Sequence, residues 1–267
     1  MQLVNPRKKL KMLIKDTVRY FILVKDFTMT QFRLKYRSSI FGYFWSLLTP
    51  LLMLVTLYVV FSYIMRVDVP HYQLFLLLGI IYWNFFSEST VSSFAFLMEK
   101  SNLINKQKFP KTIIVVSASL ASFINLAINL SIFFVFMAIL GVRFNLSLFY
   151  LPLNLFALFM LSIGVSFFLT SLYSKYRDVS HIWDFVLLIG FWLTPIIYKE
   201  NVIPAKYLRF YMLNPVARLI VTARDITIYN YVPDIKQVSI TILVISLIFV
   251  VGYLFYRKRS KYFAEEI

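Results

Sequence analysis

Residues 112–140 read TIIVVSASLASFINLAINLSIFFVFMAIL, 29 residues without a single charged side chain. Wound as a helix, that stretch exceeds the roughly 20 residues needed to cross about 30 Å of hydrocarbon. Comparable apolar runs fall at about 44–65, 73–95, 150–172, 183–198 and 236–256. The run 73–95 is interrupted by Asn84, Ser87, Glu88 and Ser89, and the run 183–198 is short. In lipid every backbone N–H and C=O must be paired internally, which leaves helices or closed barrels. The alternating ten-residue strands of a barrel are absent. The expected fold is an all-α integral membrane protein with six transmembrane helices in a single domain spanning 1–267.

Composition agrees. Of 267 residues, 60% are apolar and 15% charged, where a soluble domain carries about a quarter charged. The net charge of +16 would suggest nucleic acid in a soluble protein. In a membrane protein, cytoplasmic loops collect Lys and Arg and face anionic headgroups, so the bilayer is the expected partner and nucleic acid is not. With the N-terminus inside, segments 1–43, 96–111, 173–182 and 257–267 hold 20 basic residues. The outside segments 66–72, 141–149 and 199–235 hold 7. That bias places both termini in the cytoplasm. Some 43 mixed, basic residues precede the first run, and that run is too long for a cleavable signal.

Two connections carry more than linkage. In 26–43, Met29, Phe32, Tyr36, Ile40 and Tyr43 recur at steps of three and four, flanked by Arg33, Lys35 and Arg37. That spacing predicts a basic amphipathic helix in the headgroup layer, against the plainer alternative of a short soluble helix. In 199–235, Asn214-Pro215 splits apolar sequence into about 204–213 and 216–229, each too short to cross. A re-entrant helical pair is expected there; a surface-lying loop is the alternative.

Several chemistries are excluded or disfavoured. None of the six glycines precedes a lysine, so there is no phosphate loop, and ATP energy must come from another chain. There is no cysteine, and His71 and His181 lie far apart, so no metal site is expected. Glu88 in the second run and Asp184 at the edge of the fifth are the acidic groups at membrane depth. One carboxylate facing a wet cavity or a buried Arg suits Glu88 better than catalysis. Aromatic residues make up 19% of the chain; interface belts and packing explain most of them. Stacking on sugar rings is a second use for Tyr58, Phe61, Tyr82, Trp83, Phe85, Phe86, Trp192 and Tyr198.

The order of short motifs is more specific than any one of them. Gln31-Phe32-Arg33-Leu34-Lys35-Tyr36-Arg37-Ser38-Ser39 leads into Phe41-Gly42-Tyr43-Phe44-Trp45-Ser46-Leu47-Leu48-Thr49-Pro50. Phe109-Pro110-Lys111, Tyr176-Arg177-Asp178, Thr194-Pro195-Ile196-Ile197-Tyr198 and Asn214-Pro215 follow. Over residues 20 to 256 this closely resembles ABC-2 type permeases that export polysaccharides and teichoic acids. The resemblance implies a homodimeric channel in a bacterial inner membrane, working with two separate ATPase subunits that carry ATP and Mg. The chain itself would bind no cofactor and would not be an enzyme.

By that resemblance, 26–43 matches an interface helix, and 98–111, with Lys100, Asn102, Lys106, Lys108, Phe109, Pro110 and Lys111, a coupling helix that docks on the ATPase. An ordinary basic loop is the alternative for 98–111. The segment holding Asn214, Pro215 and Arg218 corresponds to the external gate. Arg33, Lys35, Arg37 and Arg177 would meet either the diphosphate of a lipid-linked, O-antigen-like glycan or bulk headgroups. Tyr58, Phe61, Tyr82, Trp83, Phe86, Trp192 and Tyr198 would line its path. An exporter of small lipophiles and a membrane enzyme acting on lipid-linked sugars are the competing readings.

Overall fold

A computed structural model describes residues 6–35, 41–106 and 109–266. Arg37 and Lys108, with Tyr36 and Ile40, lie outside the described residues. Among those described there is no strand. The helices are α1 (Pro6–Lys35), α2 (Phe44–Tyr58, continued by a π-helical turn Val59–Ile64), α3 (Tyr72–Glu99), α4 (Ser101–Lys106), α5 (Thr112–Ile139), α6 (Leu151–Tyr173), α7 (Val179–Leu193), α8 (Ala205–Tyr211), α9 (Pro215–Thr227), α10 (Ile235–Arg259) and α11 (Phe263–Glu266).

Five of these are long and apolar enough to cross a membrane: α2 with its π turn, α3, α5, α6 with the short 3₁₀ turn before it, and α10. The expected run 183–198 departs from its reading. Helix α7 begins at Val179 and stops at Leu193 after 15 residues, about 22 Å of rise. Pro195 accounts for the stop: the residue before a proline is driven out of the α region, and Thr194 is extended at ψ 144.

Helix α3 is the centre of the bundle, buried along most of its length between α5 and α6. Small hydroxyl residues set that contact. Ser89 and Ser93 on α3, Ser119 and Ser122 on α5 and Ser162 and Ser166 on α6 are all buried. Ser166 Oγ donates across to the Ser89 carbonyl at 3.2 Å. Small residues let helices approach closely where lipid offers no hydrophobic drive between them. Helix α5 ends on Gly141 at φ +70, whose N–H bonds the Ala138 carbonyl; a left-handed glycine is the common helix stop.

The closest helix crossing joins α6 and α10 at Gly164 and Gly252. A Cβ built on Gly252 would stand 2.1 Å from the Gly164 oxygen and 3.0 Å from its carbonyl carbon. Backbone cannot yield as a side chain does, so Gly252→Ala must part the two helices. The expected loss is about 1–3 kcal/mol, read as a lower melting temperature in detergent. Melting unchanged from wild type would refute the close crossing.

Helix α1 corrects the reading of 26–43. It starts at Pro6 and is helical to Lys35, while Phe41-Gly42-Tyr43 form a turn. Its packed face is Val24, Phe27 and Thr28 rather than the stripe through Met29, which is 38% exposed. Val24 accepts from Ser117 Oγ on α5, and Phe27 meets Phe96 and Phe109 edge-on. Phe32 instead stacks on Tyr43, with ring centroids 5.0 Å apart, and ties the end of α1 to the turn before α2.

Candidate functional site

The candidate residues fall at three levels of the bundle. At the α4 end, α3 breaks at Lys100 and restarts as the six-residue α4. The expected helix over 98–111 is therefore confined to 101–106 among the described residues. Ile104 pins it into a cluster with Phe96, Leu97, Ile114 and Phe263. Asn102 and Lys106 are exposed and Pro110 is exposed, whereas Phe109 is half-buried. Lys100 pairs with its neighbour Glu99 at 2.7 Å. Lys111 turns inward, donating to the Ser260 carbonyl at 2.6 Å over the Phe263 ring, and burial draws its ammonium below the usual lysine value.

The C-terminal helix α11 braces this end, a role no motif in the sequence marks. Glu266 takes Arg259 at 2.6 Å and Ser174 Oγ at 2.8 Å. Arg177 lies over Tyr173 and bonds Met98 and the Glu266 carbonyl. Its partners are thus protein groups. No described contact joins Arg177 to Arg33 or Lys35; Arg33 is exposed.

At mid-depth, Lys35 reaches from the end of α1 to Glu88 on α3, Nζ to Oε2 2.7 Å. Asn125 on α5 donates to the other Glu88 oxygen at 2.8 Å. Asn129, one turn further, donates to the Asn125 carbonyl at 2.9 Å. Glu88 therefore faces a polar cavity, with lysine and not arginine as its cation. Two hollows of about 420 and 380 Å³ share Lys35, Glu88 and Asn125 and form one cleft between α1, α2, α3 and α5. The spacing of Asn125 and Asn129 puts two amides on one face of an otherwise apolar helix, a signal present in the sequence and missed.

At the α9 end, Asn214 caps α9, accepting from the Val216 and Ala217 N–H groups at 3.0 and 3.4 Å. Its amide donates to Thr194 Oγ1 at 3.2 Å, and Pro215 opens the helix. Arg218 donates to the Met212 carbonyl at 2.6 Å and to Thr241 at 3.3 Å. The expected pieces 204–213 and 216–229 appear as α8 and α9. The residue that organises this end is Arg224, fully buried and donating to the backbone carbonyls of Phe75, Pro195 and Ile196. Beside it, burial and nearby Glu200 push Asp225 up to about 6.

The expected aromatic path divides. Tyr82 is fully buried and donates to Asn154 at 2.9 Å. Trp83 and Phe86 are buried with Phe191 and Trp183 around them, and Phe85 packs on Phe123. These rings belong to the core of the chain, so stacking on a passing sugar is corrected for Tyr82, Trp83 and Phe86. Tyr58 and Phe61 are half-buried, with Tyr58 accepting from Gln73 at 2.8 Å. Trp192 is 54% exposed, and Tyr198 donates to its carbonyl at 2.9 Å. Among the described residues no three His, Asp or Glu side chains are placed to share a metal ion.

Five helices long and apolar enough to cross a membrane, packed through buried hydroxyl residues with a polar cleft among them, describe a multi-pass membrane protein. The chain belongs to the ABC-2 type transporter family, whose model matches residues 23–228. It is 28% identical over 246 residues to O-antigen export system permease protein RfbA of Klebsiella pneumoniae, covering 92% of this chain and 95% of that one. The RfbA of Myxococcus xanthus is 23% identical over 264 residues, 96% of this chain and 99% of its own. This is therefore the membrane permease subunit of an ABC exporter in a bacterial inner membrane. Such permeases work with a nucleotide-binding ATPase partner.

Proposed function

We propose that two copies of this chain form a channel that exports a lipid-diphosphate-linked cell-envelope polysaccharide of the O-antigen kind. The observation that carries this reading is the end-to-end likeness to O-antigen export permeases. Each copy crosses the membrane six times, α7 being completed by the non-helical Thr194–Tyr198, and both ends face the cytoplasm. Two ATP-hydrolysing subunits, which carry the ATP and Mg, dock on α4. Their closure on ATP moves α4 and α1 together, since Phe27 and Phe109 join the two regions, and α1 passes the movement to α3 through Lys35 and Glu88.

The diphosphate is met at the inner face by Arg33 and Arg37, with Arg177 beside the coupling segment. Trp192, Tyr198, Tyr58 and Phe61 supply the ring faces along which the sugar chain slides. Helices α8 and α9 dip into the outer leaflet as the gate, with Asn214, Pro215 and Arg218 setting its hinge. The exposed apolar sides of α2 and α7, including Leu52, Val55, Phe185 and Leu188, suit the second copy and the lipid.

Deleting the chain's reading frame in the bacterium that makes it is expected to abolish the surface polysaccharide on immunoblots. Lipid-linked polymer should then accumulate at the inner leaflet. Surface polysaccharide at the normal level would overturn the reading.

A further inference from the structure

The mid-depth cleft has a composition that the diphosphate does not explain. Lys35, the cation of its lining among the described residues, is paired with Glu88 at 2.7 Å, so the pair presents no net charge. An anionic group gains little from a lysine already neutralised by a carboxylate. Around the pair, the larger hollow combines the amides and hydroxyls of Asn84, Asn129, Ser46, Thr49 and Ser87 with apolar surface from Trp45, Pro50 and Ile81. Amides offer donor and acceptor together, as sugar hydroxyls also do.

Several of these groups have capacity to spare. The Asn84 side chain has no hydrogen bond among the described residues, and Ser87 Oγ is shielded without a partner. Pro50 inside α2 lacks the N–H that would take up the Ser46 carbonyl, leaving that acceptor outside the helical ladder. Trp45, 42% exposed, stands at the mouth as a flat apolar ring. Acyl chains cannot satisfy such a lining, and unpaired polar groups in lipid cost several kcal/mol each. Its larger hollow, about 420 Å³, falls within the size of ordinary small-ligand sites, about 300–1,000 Å³.

We propose that this cleft binds an uncharged sugar residue of the exported glycan, separately from the diphosphate contacts of Arg33 and Arg37. The inference rests on the polysaccharide reading above. Asn84 and Asn129 bond ring hydroxyls, the Ser46 carbonyl accepts another, and Trp45 stacks on the apolar face of the ring. The Lys35–Glu88 pair is then a neutral wall that also ties the sugar site to α1.

The chain has no cysteine, so Ser46→Cys and Thr49→Cys, whose side chains hold no proposed sugar contact, each place a single thiol in the cleft. Inverted membrane vesicles holding the permease with its ATPase are treated with a hydrophilic maleimide. Three sources are compared: cells making the full glycan, cells making only the sugarless lipid diphosphate, and cells making neither. Labelling is expected in the last two at equal rates. The full glycan should slow it about fivefold, as for a site four-fifths occupied.

Equal labelling from all three sources overturns the proposal and leaves only a wet cleft. So does absence of labelling, or equal slowing by the sugarless lipid. Surface glycan made by cells with the wild-type chain is scored separately. Its presence with unprotected thiols sinks the sugar site and keeps the exporter; its absence sinks the exporter.

Discussion

Arg224→Met is expected to unfold the α9 end and lower stability by about 2–6 kcal/mol, the cost of leaving two buried carbonyls without a donor. The guanidinium sits 3.4 Å from the Phe75 ring centroid. It donates twice to the Phe75 carbonyl, at 3.1 and 2.9 Å, and to Ile196 at 2.9 Å. The carbonyl of Pro195 is its fourth contact. Methionine matches much of the volume but has no donor, so the Pro195 and Ile196 carbonyls would stay buried and unpaired, at about 1–3 kcal/mol each.

Those two carbonyls exist as free acceptors because Pro195 halts α7 just before them. Arg224 is thus what lets the chain break inside the bundle, and it clamps α9 and the break to the start of α3. Gly79 belongs to the same arrangement: a Cβ there would come 2.6 Å from Arg224 Nη2 and 3.2 Å from Ile196. Gly79→Ala should therefore also lower the melting temperature in detergent, and less than additively with Arg224→Met, because both disturb one contact. Arg224→Lys should fall between, since an ammonium has three donors without the planar fork. Wild-type melting for Arg224→Met would refute the clamp.

What the sequence showed and what it hid have a common physical cause. The solvent of this chain is lipid, and lipid writes itself plainly as uncharged runs; α2, α3, α5, α6 and α10 lie where those runs are. It says little about which side of a run faces protein. On α1, Phe27 and Thr28 are interspersed with Asp26 and Met29, and only packing on α5 selects the former as the buried face. Tyr82 and Trp83 look like any other membrane aromatics until Asn154 and Phe191 are brought against them by the fold. Arg224 is one of the five basic residues within 199–235. Its position was nonetheless legible: it follows Ile220 by four on the stripe Val216, Ile220, Ala223, Thr227, and a charge on an apolar stripe must be paired. Its partners are backbone carbonyls, which no side-chain pattern marks. Glu88 carried its own signal, an acid inside a span, but Lys35 lies 53 positions away and joins it only through the return of α1.

Ile104→Asp is expected to reduce glycan export more than tenfold while the chain still inserts and accumulates normally. Six residues cannot hold a helix in water by backbone bonds alone, so α4 depends on what it buries. Ile104 is 5% exposed, packed among Phe96, Leu97, Ile114 and Phe263. Burial of such a side chain contributes about 1.5–3 kcal/mol, and aspartate would lose this and meet the further penalty of a carboxylate in an apolar pocket. The helix must then leave its seat. The spans are unaffected, because their apolar surface remains in lipid or in the α3–α5–α6 core. If the ATPase docks on α4, the partner should no longer copurify with the permease, and ATP hydrolysis should lose its dependence on the permease. Ile104→Val removes one methylene, about 0.5–1.5 kcal/mol, and should keep both export and copurification. Lys106→Ala, on the exposed side of α4, should weaken copurification without loosening the helix, which separates the docking surface from its anchor. An Ile104→Asp variant that exports normally with its partner attached would place the coupling surface somewhere other than α4.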